Sequence, residues 1–146
     1  MLSAAPAPTP TSAVGGKTPY VLLVDDHEPS LRQLRQVVRG AGHRCLIASS
    51  AKAALNQFET HRPQVVVTDL SMPNLDGRGL ADWISARYPS LPLVLMTGES
   101  IERDDEEILL RTFTAVFRKP IDPERFLEWL DRLMPSNRPT VFASRP

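Results

Sequence analysis

At 146 residues the chain has room for one domain and its tails, and a chain of that size buries about 68–70% of its unfolded surface in a core. Lys and Arg number 17 against 17 Asp and Glu, a formal net charge of 0, so no overall field draws it to nucleic acid or to an anionic membrane. The single cysteine, Cys45, excludes an internal disulfide. No stretch reads as a signal peptide or a membrane span, and a cytoplasmic location is the expectation.

Residues 1–17 consist largely of Ala, Pro, Thr, Ser and Gly and are expected to form a disordered tail. A folded domain is expected over 18–134, and a second tail over 135–146, which carries three prolines. Within the domain, short apolar runs alternate with helical patterns. Val21–Val24 reads as a strand; Pro29 then suits the first helical position, and Leu31, Leu34, Val37 and Val38 form one stripe before Gly40 and Gly42. Arg44–Ala48 is the second strand, followed by a helix over Ala51–Thr60 with Ser50 as N-cap and Ala54, Leu55 and Phe58 inward. The third strand, Val65–Thr68, leads to a helix carrying Leu80, Trp83 and Ile84. The fourth, Leu93–Met96, leads to a helix that opens with six acids between Glu99 and Glu107 and is anchored by Ile101, Ile108, Leu109 and Leu110. Like charges three and four apart make this the weakest helical pattern of the chain. Ala115–Arg118 is the fifth strand. The last helix has Asp122 as N-cap, Pro123 at its first position, and Phe126, Leu127, Leu130 and Leu133 on one face. Five strands alternating with five helices specify an α/β fold with a doubly wound parallel sheet.

Asp25-Asp26, Asp69, Thr97 and Lys119-Pro120 each stand at or just past the end of one of these strands. Open α/β sheets bind ligands outside the carboxyl ends of their strands. Three carboxylates gathered there would repel one another unless a cation intervened. Oxygen donors without His or Cys suit Mg²⁺ or Mn²⁺, and Mg²⁺ commonly completes its shell with water and phosphate oxygens. Lys119 and Thr97 supply an ammonium and a hydroxyl for those phosphate oxygens. Asp69, alone at the end of a strand, is then the candidate nucleophile for an aspartyl phosphate. Any of these residues taken singly is ordinary turn chemistry; their joint placement is what carries the reading.

The set Leu22-Leu23-Val24-Asp25-Asp26, Val67 through Gly77, Met96-Thr97-Gly98 and Lys119-Pro120 resembles the receiver domain of two-component response regulators over about 19–134. The resemblance implies the flavodoxin-like sheet with strand order 2-1-3-4-5, for which the chemotaxis member of the family is a standing example. It also implies Asp69 as phosphoacceptor, and Mg²⁺ held by Asp26, Asp69 and the Ser71 carbonyl with Asp25 assisting through water. It further implies Lys119 on the phosphoryl group, Thr97 as the hydroxyl that moves on activation, and a cis Lys119-Pro120 bond. Ser71 and Glu99 correspond to the pair that tunes phosphoryl lifetime. The partners expected are a sensor histidine kinase or histidine phosphotransfer protein as donor, since the chain has no P-loop, and a downstream protein of unknown identity.

Two positions depart from the family pattern. Val116 stands three residues before the lysine, where receivers usually carry Tyr or Phe, and the adjacent Phe117 belongs to the opposite sheet face. Thr112-Phe113-Thr114 replaces the usual small-Gly-small turn before the fifth strand. These changes bear on the output surface rather than on phosphoryl capture. Three other readings follow: an interaction module that binds regardless of phosphorylation, a receiver fragment of a hybrid kinase, and a metal-dependent phosphatase. The phosphatase reading is disfavoured by Ser71, which stands where haloacid-dehalogenase-type enzymes place a second acid, so a non-enzymatic switch is expected. His27 reads as a solvated turn residue, His43 and His61 lack metal-ligand spacing, Cys45 reads as a small buried hydrophobe, and Trp83 and Trp129 read as packing residues.

Overall fold

The computed structural model describes residues 19–69, 77–98, 107 and 109–134. Among these residues the elements run β1 (Val21–Val24), α1 (Glu28–Gly40), β2 (Cys45–Ala48), α2 (Ala51–Thr60), β3 (Val65–Asp69), α3 (Gly77–Arg87), β4 (Leu93–Thr97), β5 (Ala115–Arg118) and α4 (Pro123–Leu133). The strands form one parallel sheet in the order β2-β1-β3-β4-β5, as expected. The two tails, Ser71, and most of the acidic helix expected between β4 and β5 lie outside the described residues, so four helices are seen where five were expected.

Side chains alternate across each strand and so feed two cores. Leu22, Val24, Val66, Leu93 and Leu95 face α2 and α3, where Ala51, Ala54, Phe58, Leu80, Ala81 and Ile84 close over them. Val21, Leu23, Val65, Val67, Val94 and Met96 face α1 and α4, packing on Leu31, Val38, Phe126 and Leu130. β1 and β4 are buried along their whole length, the pattern of a parallel sheet covered on both faces.

Local chemistry sets the helix boundaries. Ser50 caps α2 by accepting from the Ala53 amide at 3.1 Å, and Asp122 caps α4 by accepting from the Glu124 amide at 3.1 Å. Gly42 ends the α1–β2 turn at φ 91°, in the left-handed region that glycine enters without a Cβ penalty. β3 and β4 each extend one residue beyond the sequence reading, because Asp69 pairs with Met96 and Thr97 with Arg118.

Several packing details differ from expectation. α1 begins at Glu28, so Pro29 takes its second position rather than its first. Leu133 is 36% exposed while Met134, one residue on, is 3% exposed and fills the core under α4. Val116 and Phe117 do lie on opposite faces, Val116 against the α2–α3 core and Phe117 against Phe126 and Trp129. The turn before β5 is not a loosened one: Phe113 is 1% exposed. Next to it, Thr114 is bound to Leu93 in both directions, its amide donating to the Leu93 carbonyl at 2.6 Å and its hydroxyl accepting from the Leu93 amide at 3.1 Å.

Candidate phosphoryl and metal site

The carboxyl ends of β1, β3, β4 and β5 bring Asp25, Asp26, Asp69, Thr97 and Lys119 to one edge of the sheet. One carboxylate oxygen from each of Asp25, Asp26 and Asp69 lies within 4.8 Å of the other two. Their burial is graded: Asp25 is buried, Asp69 half-buried and Asp26 exposed. Lys119 reaches in from the far side of β4, with Nζ 3.0 Å from Asp25 Oδ2 and 3.8 Å from Asp69 Oδ1. Its backbone is held separately, the amide donating to the Thr97 carbonyl at 2.8 Å. The Lys119-Pro120 bond is cis, and Thr97 is 1% exposed at the end of β4.

One ammonium among three carboxylates leaves the cluster with a net negative charge. The donors are all hard oxygens, and a divalent cation of the Mg²⁺ or Mn²⁺ type fits both the charge and the donor set. Asp25 is held on both oxygens: its Oδ1 accepts from the His27 amide at 2.9 Å while its Oδ2 accepts from Lys119. The Ser71 carbonyl lies outside the described residues.

His27 has a part that sequence reasoning missed. It is the N-cap of α1: its Nδ1 accepts from the Ser30 amide at 3.3 Å and lies 2.7 Å from Ser30 Oγ. Histidine is not among the usual caps, and only the spacing to Ser30 could have signalled it. His43 is 3% exposed and its Nε2 lies 2.6 Å from Asp131 Oδ1. The pair joins the α1–β2 turn to α4 at the opposite edge of the sheet and takes no part in the acidic cluster. Cys45 is buried, and burial pushes its thiol up to about 11, as suits a packing residue rather than a nucleophile.

A cavity of about 320 Å³ beside the acidic edge is lined by Asp25, Asp69 and Lys119 together with Leu31, Leu34 and Met96. No helix among the described residues is long and apolar enough to cross a membrane.

A doubly wound parallel sheet of order 2-1-3-4-5 with a carboxylate cluster and a lysine at its carboxyl edge defines the class: a flavodoxin-like domain built around an acidic strand-end site. The chain belongs to the response regulator receiver domain family, whose sequence profile matches residues 21–131. That family serves two-component and phosphorelay signalling. The polar-differentiation response regulator DivK of Brucella ovis is 25% identical over 113 residues, covering 76% of this chain and 92% of DivK. The sensor histidine kinase GacS of Pseudomonas protegens is 26% identical over an aligned region that spans 94% of this chain but only 16% of the kinase. Among solved structures, the signal receiver domain of an HD domain-containing protein from Pseudomonas fluorescens superposes with a TM-score of 0.72 at 25% identity, covering 80% of this chain and 94% of that one. The Vibrio cholerae chemotaxis regulator CheY4 shares the fold, with a TM-score of 0.71 at 24% identity over 81% of this chain and all of CheY4.

Proposed function

We propose that this receiver accepts a phosphoryl group on Asp69 in a divalent-metal-dependent reaction and that the resulting charge switches its binding to another protein. The observation carrying the proposal is the placement of Lys119 Nζ, 3.0 Å from Asp25 and 3.8 Å from Asp69, within a three-carboxylate cluster. An ammonium there offsets part of the repulsion among the acids before phosphorylation and is within reach of phosphoryl oxygens afterwards.

In the proposed step an Asp69 carboxylate oxygen attacks phosphorus in line with the leaving group. The new O–P bond forms as the donor's N–P bond breaks, and that electron pair returns to the imidazole nitrogen of a phosphohistidine, which takes its proton from water. The donor is a sensor histidine kinase or a histidine phosphotransfer protein, a reading supported by the likeness to a sensor histidine kinase. Asp26, Asp69 and the Ser71 carbonyl would hold Mg²⁺ or Mn²⁺, with Asp25 assisting through water because both of its oxygens are engaged. A bound ion would supply charge neutralisation at the phosphoryl oxygens. Lys119 binds one phosphoryl oxygen, and the Thr97 hydroxyl turns toward another.

Intact-mass measurement after incubation with acetyl phosphate and Mg²⁺ tests this. The chain should gain one phosphoryl mass that is lost on adding a chelator beforehand and absent from Asp69→Asn. No gain, or a gain that survives Asp69→Asn, would end the reading.

A further inference from the structure

Phe58, Trp83 and Tyr88 form a continuous aromatic cluster where the carboxyl ends of α2 and α3 meet. Phe58 stacks on Tyr88 with ring centroids 5.5 Å apart and meets Trp83 edge-on at 5.8 Å; Trp83 and Tyr88 are 6.4 Å apart. Phe58 is buried, whereas Trp83 and Tyr88 are half-buried and present part of their rings outward. Two exposed arginines lie over them. The Arg87 guanidinium sits 4.3 Å from the Trp83 ring centroid and that of Arg62 sits 4.7 Å from the Tyr88 centroid.

Stacking fixes these guanidiniums while leaving their donors unused. Among the described residues neither arginine enters an ion pair or a hydrogen bond. Glu59 and Asp82, exposed acids on α2 and α3, pair with neither. Arg32, by contrast, already binds Glu28 at 3.4 Å. A guanidinium held over an aromatic ring has lost part of its rotamer entropy in advance and still offers N–H donors that match a carboxylate. Trp, Tyr and Arg are also the side chains that most often dominate binding energy at protein interfaces.

We propose that the Phe58–Trp83–Tyr88 surface with Arg62 and Arg87 is a docking site for an acidic segment of a partner protein, two carboxylates binding the guanidinium forks and an apolar side chain lying against the part of the Trp83 and Tyr88 rings left open to solvent. Charge complementarity selects this occupant, because the patch offers two unpaired cations beside apolar area. The surface lies at the amino-terminal edge of the sheet, a β3 length of about 13 Å from the Asp69 crevice at 3.3 Å per residue, so the site is separate from the one proposed for phosphoryl capture.

The test uses the full chain and a blocked peptide of four glutamates flanking one phenylalanine, followed by ¹⁵N–¹H NMR at low salt. Saturable shifts should appear at the Trp83 indole and at the Nε–H signals of Arg62 and Arg87. Binding should weaken at least tenfold in the Arg62→Gln/Arg87→Gln double variant and at least tenfold for the same peptide with glutamine in place of glutamate, while Arg62→Lys/Arg87→Lys, which keeps the charge but not the fork, should fall between. Absent shifts, an unchanged affinity in the glutamine double variant, or equal binding of the glutamine peptide would overturn the proposal. Tighter binding of a uridine oligonucleotide at the same resonances would also overturn it, assigning the patch to nucleic acid.

Discussion

The two edges of the sheet are built on opposite principles. At the carboxyl edge, acids from β1 and β3 are crowded together and held by one lysine from the far side of β4. At the amino edge, polar groups tie distant segments together or lie on the surface: Tyr20 donates to the His61 carbonyl at 2.8 Å, His43 meets Asp131, and arginines cover aromatic rings. The first edge concentrates negative charge around one lysine; the second combines ties that close the fold with the exposed guanidiniums of Arg62 and Arg87. The difference teaches that what each edge offers a ligand follows from the sign of the charge gathered there and not from burial, since buried groups occur at both edges.

Substitutions at the two edges should therefore separate chemistry from stability. The largest effect expected is at Asp69→Asn, which should abolish phosphoryl acceptance in the mass assay while leaving the urea midpoint equal to or higher than that of the parent, since it relieves repulsion. Packing beneath α4 offers the converse. Phe126→Ala, at a 0% exposed ring in the α1–α4 core, should lower stability by about 3–5 kcal/mol in urea titration with phosphorylation retained wherever the chain remains folded. Lys119→Met should tighten Mn²⁺ binding about tenfold, about 1.4 kcal/mol, by removing the cation that competes for Asp25 and Asp69, and should slow phosphorylation; an unchanged Mn²⁺ affinity by calorimetry would mean that the lysine does not neutralise the cluster. Ser50→Ala should cost about 1 kcal/mol through loss of the α2 cap and leave metal affinity alone. A separate effect concerns alkaline pH. Burial raises Cys45 from 9.0 to about 11 and Tyr20 from 10.0 to about 12. The folded state thus holds these protons more tightly than the unfolded one, and stability should fall as pH rises from about 9 toward 12. Cys45→Ala should remove the part of that fall between 9 and 11, as read from urea midpoints across the series.

Much of this was legible because local rules and the global fold agree. Ser50 and Asp122 have side chains that accept from nearby amides, so α2 and α4 begin where the sequence places them. Strand ends at Asp69 and Thr97 were misjudged by one residue, because polar side chains suggest a turn while their backbones still pair with Met96 and Arg118. What stayed hidden depends on partners far away in sequence. His43 and Asp131 are separated by 88 positions, and no periodicity links them. The aromatic cluster joins the end of α2 to the end of α3, and its arginines look like ordinary solvated charges until the rings beneath them are in place. Leu133 fits the stripe of α4, but the helix ends there and the chain turns Met134 inward instead.

The topology also sets when this protein can become functional during its synthesis. Among the described residues every strand pairing is parallel, with β1 bonded to β2 and β3, so the acidic edge is assembled by long-range pairing, which is slow to form. Ninety-four positions separate Lys119 from the carboxylate it holds. A nascent chain that has exposed Asp25, Asp26 and Asp69 but not yet β5 and α4 would carry three acids without their lysine and one sheet face without its cover. Competence for the proposed phosphoryl capture is then acquired late, when the last strand closes against β4 and α4 covers the sheet, and a truncation before β5 should leave a chain that does not fold rather than a folded domain with a weaker site.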